Sequence, residues 1–594
     1  MRGGDTATGI VGVMTYTWAG NAASGNAYRV RPINALGGGV PDFQPANPRP
    51  ATAPNVGGDL KVVGMNLLNY FNTFDGAATN GCNLGVGGAP TDCRGADDAG
   101  EFDRQWPKTV AAILGTGADI VGLVELENDG YGPTSAIQDV VSKLNAATAP
   151  GTWAFIDADA ATGQVNALGT DAIRVAFIYK PARVTPVGQT AALNSVAFVN
   201  GGDSAPRNRA SLAQAFEQVA DGARLIVNVN HLKSKGSACD AADAGDGQGN
   251  CNTVRTNAAN ELVSWLATNP TGTGETDVLI VGDLNSYAKE DPITAFASGG
   301  LANLVASRIG PDAYSYVFDG QWGYLDYALG SASLATKVSG VGEWHINADE
   351  PSVLDYNDDF KSAGQIASLY AADQFRISDH DPVVVGLSLN EPPTVNAGGP
   401  YSVVEGQNVT LTATGSDPEG KPLGYAWDLD NNGSFETTGQ SVTFSAPANA
   451  APQTFTVRVQ VTDKGGLTAV ASTQVNVIWQ FTGFFSPVDN LPAFNVANSG
   501  RAIPMKFSLG GPQGLQILAP GYPKSQVIPC GSAALVDGVE PTSTSGASGL
   551  QYDSSANRYT YVWKTEKSWS NSCRQFVVKL VDGTTYRANF NFTR

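Results

Sequence analysis

The stretch Asp119-Ile120-Val121-Gly122-Leu123-Val124-Glu125 joins an almost unbroken apolar run to a carboxylate. A short continuous apolar run is typical of a buried strand, and this strand ends in a charged side chain. The same order, an apolar strand followed by polar side chains, recurs at 225–231, 278–285 and 323–329. Between such strands lie amphipathic segments, as in 102–114, where apolar residues recur at helical spacing. The alternation predicts an α/β layered domain whose reactive side chains sit at strand ends.

The whole chain is acidic and poor in charged residues. Its 594 residues include 36 Lys and Arg against 55 Asp and Glu, a formal net charge of −19, and only 15% are charged. Apolar residues make up 42%, enough for several cores, which excludes a wholly disordered chain. This composition also excludes a coiled coil and a protein that coats nucleic acid with a generally basic surface. With 69 glycines, the composition is typical of a loop-rich, β-rich secreted protein.

No apolar run reaches the roughly 18–20 residues that a transmembrane helix needs, so we expect no membrane insertion. The longest run, 383–389, fits one buried strand. Residues 1–5 are not followed by the apolar stretch of a signal peptide, and 9–16 already reads as a strand in mid-domain. We therefore expect a secreted protein whose given sequence starts inside a longer precursor.

Composition divides the chain into four segments. Residues 1–57 hold strand-like pieces followed by a proline-rich stretch, 41–50, predicted to be a linker. Residues 58–390 form the α/β domain. Residues 391–478 alternate apolar and polar side chains with period two, which indicates a β-sandwich, and 479–594 form a further β-rich unit. The last unit has 10 basic and 6 acidic residues and is net positive, whereas 391–478 and residues 1–390 taken together are net acidic.

The six cysteines fall into three local pairs, although six cysteines allow 15 connectivities. The first two pairs each lie within one excursion rich in Gly and Asp, so local closure is the simplest expectation. None has the CxxC spacing of a zinc site. Disulfides formed outside the cytosol are the favoured interpretation and free buried thiols the alternative. The pairs are Cys82 with Cys93, Cys239 with Cys251, and Cys530 with Cys573.

Two of the three histidines lie in polar clusters that suit catalysis. His231 ends a strand beside two lysines, and His380 lies between two aspartates. A further strand end offers Asp283 and Asn285. Each motif alone is commonly structural, as a hydrogen-bonded histidine or a helix cap. Together with the earlier Asn66 and Glu125, they suit phosphoester hydrolysis assisted by a hard cation, Mg²⁺ foremost, with Mn²⁺ or Ca²⁺ as alternatives.

These motifs, in this order, resemble the endonuclease/exonuclease/phosphatase superfamily, and within it the secreted ExeM/NucH-type bacterial nucleases. The resemblance covers about 58–390 and implies the DNase I-like fold, a four-layer α/β sandwich. One departure is Val124, where many relatives have Gln before the metal-binding Glu. The motifs are Met65-Asn66, Asp119 to Glu125, Asn230-His231-Leu232-Lys233-Ser234, Gly282-Asp283-Leu284-Asn285, Leu325-Asp326-Tyr327 and Ser378-Asp379-His380-Asp381-Pro382.

The resemblance also implies roles at matching positions. The implied metal ligands are Glu125, Asn66 and Asp379. The implied catalytic residues are His380 as general base, Asp326 as its orienting carboxylate, Asp283 and Asn285 around the nucleophile and phosphoryl oxygen, and His231 as a phosphate or leaving-group contact. The implied substrate-binding residues are Arg209, which would bind phosphate, Asp171 as a supporting side chain, and Arg174, which a shift of one strand position would turn toward the core or the solvent. His345 has no such context and is predicted to be structural or exposed.

The flanking segments resemble accessory modules. Residues 1–40 look like the tail of a β-domain, 391–478 like a PKD-type β-sandwich, and 479–594 like the PxKF domain of secreted bacterial proteins. The loop 428–439 resembles the start of an EF-hand calcium loop, but position 12 of that motif, where a bidentate Glu is needed, is Gly439. A hairpin turn is therefore favoured over a calcium site. The segment from Cys239 to Cys251 is likewise interpreted as a solvent-exposed loop closed by a disulfide, and a Ca²⁺ site is the less favoured alternative.

The sequence thus predicts a secreted, monomeric, divalent-metal-dependent nuclease acting on DNA, with RNA left open and little sequence specificity. Its C-terminal β-domains are expected to attach it to extracellular matrix or a cell surface. The alternatives are a phosphoesterase of the same fold acting on a phospholipid or small phosphate ester, and a matrix or adhesion protein with an inactive catalytic domain. Against a lipid substrate, the sequence shows no exposed aromatic hairpin suited to membrane insertion.

Overall fold

The computed structural model describes residues 2–18, 26–33, 41–75, 80–359, 361–531, 540–544 and 549–594. The chain separates into two compact units, Met1–Asn390 and Glu391–Arg594. The predicted strand pieces near the N-terminus form short strands in the first unit. They are β1 (Thr6–Ala7), β2 (Gly12–Trp18), β3 (Asn26–Pro32) and β4 (Phe43–Gln44).

Two six-stranded sheets form the centre of the first unit, and the α/β fold class predicted from the sequence is confirmed. The first sheet has the order β19-β20-β5-β8-β10-β9 and the second β11-β12-β13-β14-β18-β15. The two-stranded pairs β6-β7 and β16-β17 lie outside them. The strands are β5 (Leu60–Tyr70), β6 (Cys82–Asn83), β7 (Pro90–Thr91), β8 (Ile120–Glu127), β9 (Ala154–Phe155), β10 (Ile173–Tyr179), β11 (Val184–Leu193), β12 (Ser211–Gln218), β13 (Arg224–His231), β14 (Val278–Asp283), β15 (Ala302–Asn303), β16 (Tyr316–Phe318), β17 (Gln321–Gly323), β18 (Asp326–Gly330), β19 (Val338–Glu343) and β20 (Val383–Leu387).

The two sheets pack face to face around glycines. A Cβ added to Gly122 would lie 2.8 Å from Val281 and 3.1 Å from Val229, and one added to Gly64 would lie 3.1 Å from Gly282. The absence of these side chains lets β5 and β8 approach β13 and β14 closely. The core between the sheets is apolar and fully buried, which holds the strand ends of both sheets near one another.

Helices cover the sheets. The predicted helix over 102–114 is α1, which begins after the N-cap Asp98 and ends at Gly117, whose φ of +68° suits glycine. Together with α2 it packs on the outer face of the first sheet, whereas α5 and α6 share a core with the second. The helices are α1 (Ala99–Thr116), α2 (Ala136–Ala147), α3 (Ala158–Thr162), α4 (Val196–Asn200), α5 (Asn252–Leu266), α6 (Asp291–Ser298), α7 (Leu304–Arg308), α8 (Ala332–Lys337) and α9 (Ala363–Leu369).

The proline-rich stretch 41–50 packs on the first unit instead of forming the predicted linker. The guanidinium of Arg49 makes two hydrogen bonds to Glu350, at 2.9 and 2.8 Å. Asn47 donates to Asp349 at 2.8 Å, and Arg2 is buried against the same carboxylate. These polar contacts could not be read from the prolines, because their partners lie about 300 residues away.

The second unit is all-β, as its alternating sequence predicts. Its first part pairs β22-β29-β28-β25-β26, β21-β24 and β23-β27 around the buried Trp427. These strands are β21 (Thr394–Asn396), β22 (Tyr401–Val404), β23 (Asn408–Thr412), β24 (Thr414–Ser416), β25 (Gly424–Asp428), β26 (Thr437–Thr438), β27 (Ser441–Ser445), β28 (Gln453–Thr462) and β29 (Thr468–Ile478).

The second part of that unit has its own aromatic core around Trp563. One sheet runs β30-β32-β37-β35, with β36 also paired to β37, and the other β31-β39-β38-β33-β34. The strands are β30 (Phe484–Phe485), β31 (Phe494–Asn498), β32 (Ala502–Phe507), β33 (Lys524–Ile528), β34 (Glu540–Pro541), β35 (Ser543–Thr544), β36 (Gln551–Asp553), β37 (Arg558–Lys564), β38 (Ser572–Lys579) and β39 (Thr585–Thr593).

All six cysteines are disulfide-bonded within their local pairs. The bonds join Cys82 to Cys93, Cys239 to Cys251 and Cys530 to Cys573. Among the described residues, no helix is both long enough and apolar enough to cross a membrane.

Candidate active site

Strand register brings the polar strand ends together. In the second sheet, His231 is paired with Asp283 across the parallel strands β13 and β14, and Asp283 is paired with Asp326 across the antiparallel strands β14 and β18. In the first sheet, Asn66 on β5 is paired with the residue before Glu125 on β8. Three adjacent strands of one sheet and two of the other therefore deliver their polar ends to one region.

His380 and Asp326 form a buried hydrogen-bonded pair. The Nδ1 atom of His380 lies 2.7 Å from Oδ2 of Asp326, and the Ser315 hydroxyl donates to the same oxygen at 2.7 Å. The ring of Tyr316 lies against the imidazole, with centroids 4.6 Å apart. A carboxylate on Nδ1 holds the imidazole in one orientation and leaves Nε2 for proton transfer.

Asp283 lies between the two imidazoles. Its Oδ2 atom is 3.9 Å from Nε2 of His380 and 3.6 Å from Nε2 of His231. The backbone N–H of Asn285 donates to Oδ1 at 2.8 Å, and its side-chain amide donates to Oδ2 at 3.0 Å. This arrangement holds one carboxylate and two imidazoles around a common centre.

Glu125 faces this centre from the other sheet. Its Oε1 atom lies 3.8 Å from Nε2 of His231, and its Oε2 accepts the backbone N–H of Asn69 at 3.2 Å. Asn66 is 1% exposed, and its oxygen accepts from Leu68 N–H at 2.8 Å and the Ser378 hydroxyl at 3.0 Å. Its buried amide nitrogen has no hydrogen-bond partner in the described part of the chain.

Burial and mutual repulsion shift the acidic pKa values upward. Burial, with the nearby carboxylate of Asp379, raises the pKa of Glu125. Burial also raises the pKa of Asp283 to about 8, with Asp326 adding to the rise and His380 opposing it. A set of carboxylates that disfavour one another's charge is a site that a cation would stabilise.

The pKa values of the two histidines shift in opposite directions. Burial alone would lower the pKa of His380, but the carboxylates of Asp326, Asp283 and Asp379 hold it well above its usual value. Burial, with the positive charge of Arg209, lowers the pKa of His231 well below its usual value. At neutral pH the structure therefore favours a charged His380 and a neutral His231.

Positive side chains adjoin His231 on one side. Arg209 is 10% exposed, and its Nε lies 3.4 Å from Oδ2 of Asp171. The other oxygen of Asp171 lies 3.2 Å from Nη1 of Arg94, the residue directly after Cys93, which ends the disulfide-closed loop. Burial and the charge of Arg209 lower the pKa of Lys233 to about 8. Arg94 was not predicted from the sequence, although its place next to Cys93 could have suggested a positioned side chain.

Arg174 does not join this group. Its side chain is 1% exposed, Nη2 donates to the carbonyl of Gly130 at 2.6 Å, and the guanidinium lies 4.1 Å from the centre of the Tyr131 ring. Because the bulge in β10 follows Arg174, strand position alone could not settle the direction of this side chain. Burial and these contacts argue against the predicted role in substrate binding.

His345 has structural contacts, as the sequence predicts. Its Nδ1 lies 3.0 Å from Oδ2 of Asp381, and its ring stacks on Tyr314 at 3.9 Å. The neighbouring Asn347, which the sequence did not reveal, donates to the His380 carbonyl at 2.6 Å and accepts from Ile377 N–H at 2.9 Å. These bonds fix the segment that carries Asp379 and His380.

Two groups of side chains could hold a cation. Asp283, Asp326 and His380 offer ligand atoms within 4.8 Å of one another, but Nδ1 of His380 is already hydrogen-bonded to Asp326. Glu125 and Asp379 offer carboxylate oxygens that lie farther from an imidazole, at 3.8 Å from Nε2 of His231 and 4.0 Å from Nε2 of His380. The oxygen of Asn66 belongs to the same group, since the Ser378 hydroxyl lies 3.0 Å from it and 3.4 Å from Oδ1 of Asp379. Oxygen-only ligands suit Mg²⁺, Mn²⁺ or Ca²⁺, so the residues present fit a hard divalent cation.

The sequence profile of the Endonuclease/Exonuclease/phosphatase family matches residues 82–380, half of the chain and the part that contains most of this site. The chain belongs to that family. The PKD domain profile matches residues 390–477, within the second unit. The DNase I-like fold class and the PKD β-sandwich predicted from the sequence are thus confirmed.

Known proteins resemble parts of the chain. A family member from Bacteroides thetaiotaomicron has 15% identity and a TM-score of 0.33, and the match covers 55% of this chain and 96% of that one. The human Nocturnin catalytic domain with bound sulfate has 18% identity and a TM-score of 0.32, covering 55% and 93%. Chitinase A of Pseudoalteromonas piscicida is 23% identical over 262 residues, which are 39% of this chain and 30% of the chitinase, so the match spans less than a third of that relative.

The structure corrects one sequence-based argument. The strands β16 and β17 form a hairpin that exposes Phe318 (40%) and Trp322 (51%) beside the site. An exposed aromatic hairpin is therefore present, which weakens the sequence-based argument against a lipid substrate. The Asp319-Gly320 pair, between Tyr316-Val317-Phe318 and Gln321-Trp322, is a hairpin signal that the sequence itself carries.

Proposed function

We propose that this protein is an extracellular, divalent-metal-dependent nuclease that hydrolyses phosphodiester bonds of DNA, with RNA left open and little sequence specificity. The observation that carries the proposal is the placement of Asp283 between two imidazoles, one of them anchored by Asp326 at 2.7 Å. Glu125 completes this centre from the opposite sheet. Family membership supports hydrolysis of a phosphate ester.

His380 is the proposed general base. Its Nε2 accepts a proton from water while the water oxygen attacks phosphorus, and Asp326 stabilises the imidazolium that forms. The bond from phosphorus to the leaving oxygen breaks, and that oxygen takes up a proton. Asp283, between the two imidazoles, is placed to supply that proton, whereas neutral His231 is suited to donate a hydrogen bond to a phosphoryl oxygen.

Glu125, Asp379 and Asn66 would hold the cation. The cation would supply charge stabilisation at a phosphoryl oxygen and, by offsetting the carboxylates, would lower the pKa of His380 toward the range of a base. Arg209 would bind a neighbouring phosphate, with Asp171 positioning its guanidinium at 3.4 Å. The carboxamide of Asn285, held against Asp283, would contact a phosphoryl oxygen.

The extracellular assignment is supported by three disulfides and the PKD module. We propose that the second unit attaches the enzyme to extracellular matrix or a cell surface, and that the protein acts as a monomer. The charge of the last segment, 10 basic against 6 acidic residues, favours an anionic attachment partner.

A substrate panel tests this function. The purified chain is incubated with supercoiled plasmid, single-stranded RNA, sphingomyelin and inositol phosphate, each with Mg²⁺, Mn²⁺ or Ca²⁺ and then with EDTA. We expect plasmid nicking that EDTA abolishes. Hydrolysis of lipid or inositol phosphate without nicking would identify the alternative phosphoesterase, and no hydrolysis of any substrate would favour an inactive matrix protein.

A further inference from the structure

A two-residue turn closes the hairpin next to His380. Tyr316, Val317 and Phe318 of β16 are paired with Gly323, Trp322 and Gln321 of β17. The two residues between the strands, Asp319 and Gly320, have φ values of +51° and +77°. Two positive φ values are those of a type I′ turn, whose twist matches the strands it joins. The faces of this hairpin are therefore set by its register.

One face of the hairpin is directed toward the candidate active site. Side chains alternate along a strand, and directly paired residues share a face, so Tyr316 and Phe318 lie on the same side. Tyr316 contacts the His380 ring with centroids 4.6 Å apart. A Cβ added to Gly323, the partner of Tyr316, would lie 2.7 Å from the Tyr287 ring, so Tyr287 packs against that same face. An aromatic row thus runs from His380 toward the exposed Phe318.

The opposite face of the hairpin carries an exposed aromatic residue that serves as a control for Phe318. Trp322 is paired with Val317 and therefore lies on the other side of the hairpin. It is more exposed than Phe318, at 51% against 40%, and its Nε1 donates to Asp349 at 3.2 Å. The hairpin thus has one exposed aromatic side chain on each face, and only that of Phe318 continues the row that begins at His380.

The chemistry of this row suits a nucleobase. Aromatic rings bind bases by stacking, which tolerates any sequence and needs no positive charge. That property matters here because residues 1–390 carry 23 basic and 41 acidic residues, so attraction of phosphates is limited. Bases within a duplex are already stacked on one another, whereas an unpaired base next to the cleaved phosphate has a free face.

We infer that Phe318 and Tyr316 form a stacking platform for an unpaired base beside the scissile phosphate, so that single-stranded nucleic acid is the preferred substrate class. This inference rests on the proposed nuclease function. It assigns the hairpin face next to His380 to substrate binding and excludes the opposite face, with Trp322, from that role.

The test compares Phe318→Ala with Trp322→Ala in the full chain. Binding of a fluorescein-labelled thymidine 12-mer is followed by anisotropy in EDTA, and kcat/KM is measured with Mg²⁺ on the same oligonucleotide, on its duplex, and on a strand with abasic sites flanking the cleaved bond. We expect Phe318→Ala to weaken binding and lower kcat/KM on the single strand about tenfold. The duplex and abasic strands should change less than about twofold, Trp322→Ala should match the wild type throughout, and Phe318→Trp should retain activity.

Other results would overturn either the inference or the proposed function. A Phe318→Ala variant that folds normally by thermal melting and binds the single strand like the wild type overturns the inference. Equal losses for both variants also overturn it, and if both lose binding to phosphatidylcholine vesicles, the hairpin is a membrane contact. If the wild type cleaves no nucleic acid, the proposed function fails and the assignment of a substrate site fails with it; binding of the 12-mer in EDTA that depends on Phe318 would then identify a base-binding surface without catalysis.

Discussion

Glu125 and Asn285 both have a left-handed backbone, with φ values of +61° and +48°. Asparagine adopts this conformation with little penalty, but a glutamate within a strand does so at a cost of about 1–3 kcal/mol. Glu125 thereby turns toward His231, at 3.8 Å, instead of continuing the alternation of β8. Strain of this kind persists where the surroundings enforce it, which supports a functional role for the carboxylate.

Replacing Glu125 tests its assignment as a cation ligand. In Glu125→Gln we expect the Mg²⁺ concentration for half-maximal activity to rise at least about tenfold, because the strongest anionic ligand is lost. Glu127→Gln is the matched control, since Glu127 lies on the same strand but accepts backbone N–H groups of Asn72 and Thr73. A Mg²⁺ titration of plasmid nicking that is unchanged in Glu125→Gln would exclude the assignment.

Replacing His380 tests its assignment as the base. His380→Ala should lower kcat by roughly 10²–10⁴-fold, the usual contribution of a general base. Asp326→Asn should lower it in the same direction, because the imidazole loses the carboxylate that orients it. Circular dichroism and thermal melting monitor the fold. Activity within about twofold of the wild type in a folded His380→Ala protein would remove it from the mechanism.

At the scale of elements, the disulfide-closed loop around β6 and β7 presents Arg94 to Asp171 at 3.2 Å. We expect Arg94→Ala to raise KM for DNA several-fold with little change in kcat, because this guanidinium binds substrate or positions Arg209 and does not transfer protons. Cys82→Ser with Cys93→Ser should reproduce that change, since the loop then no longer holds Arg94. Arg183→Ala, which removes an ion pair to Asp119, is the control. An unchanged KM in Arg94→Ala would contradict this role.

The loop after β8 carries a carboxylate whose titration should affect stability. Burial, together with the charge of Glu127, raises the pKa of Asp129 to about 7. Because the folded state then binds this proton more tightly than the unfolded state, the stabilising contribution is complete below about pH 4 and is lost as pH rises through 7. We expect Asp129→Asn to reduce the loss of thermal stability between pH 5 and pH 8.

The exposed Asp312→Asn is the control for this measurement, made as melting temperatures at both pH values. A variant Asp129→Asn with the same pH dependence as the wild type would show that Asp129 does not titrate in this range.

At the scale of the whole molecule, the acidic balance limits attraction of nucleic acid. Arg209, Arg94 and Lys233 are the cations that the structure places around His231, and the net charge is −19. Three phosphate contacts predict a slope of about −2 for log K against log[KCl] with a single strand. Anisotropy of a labelled oligonucleotide in EDTA measures this slope. A slope steeper than about −5 would reveal a larger cationic surface than the site provides.

Residue patterns were sufficient for the fold class and for much of the candidate site. Apolar runs ending in Glu125, His231 and Asp283 predict buried strands with polar ends, and parallel strands necessarily bring such ends to one edge. The cysteine spacing was likewise enough to favour local disulfides. These features depend on local periodicity and short-range spacing, which the chain expresses directly.

Other features depend on which distant segments meet in the folded chain. Burial of Arg174 against Tyr131 follows from a bulge in β10, and the place of Arg94 follows from loop closure, neither of which has a periodic signature. The packing of 41–50 on the first unit and the direction of the Tyr316 and Phe318 face arise from contacts between residues far apart in the chain or from hairpin register. Tertiary packing decided them, because a side chain's direction and partner are properties of the assembled strands and not of the segment alone.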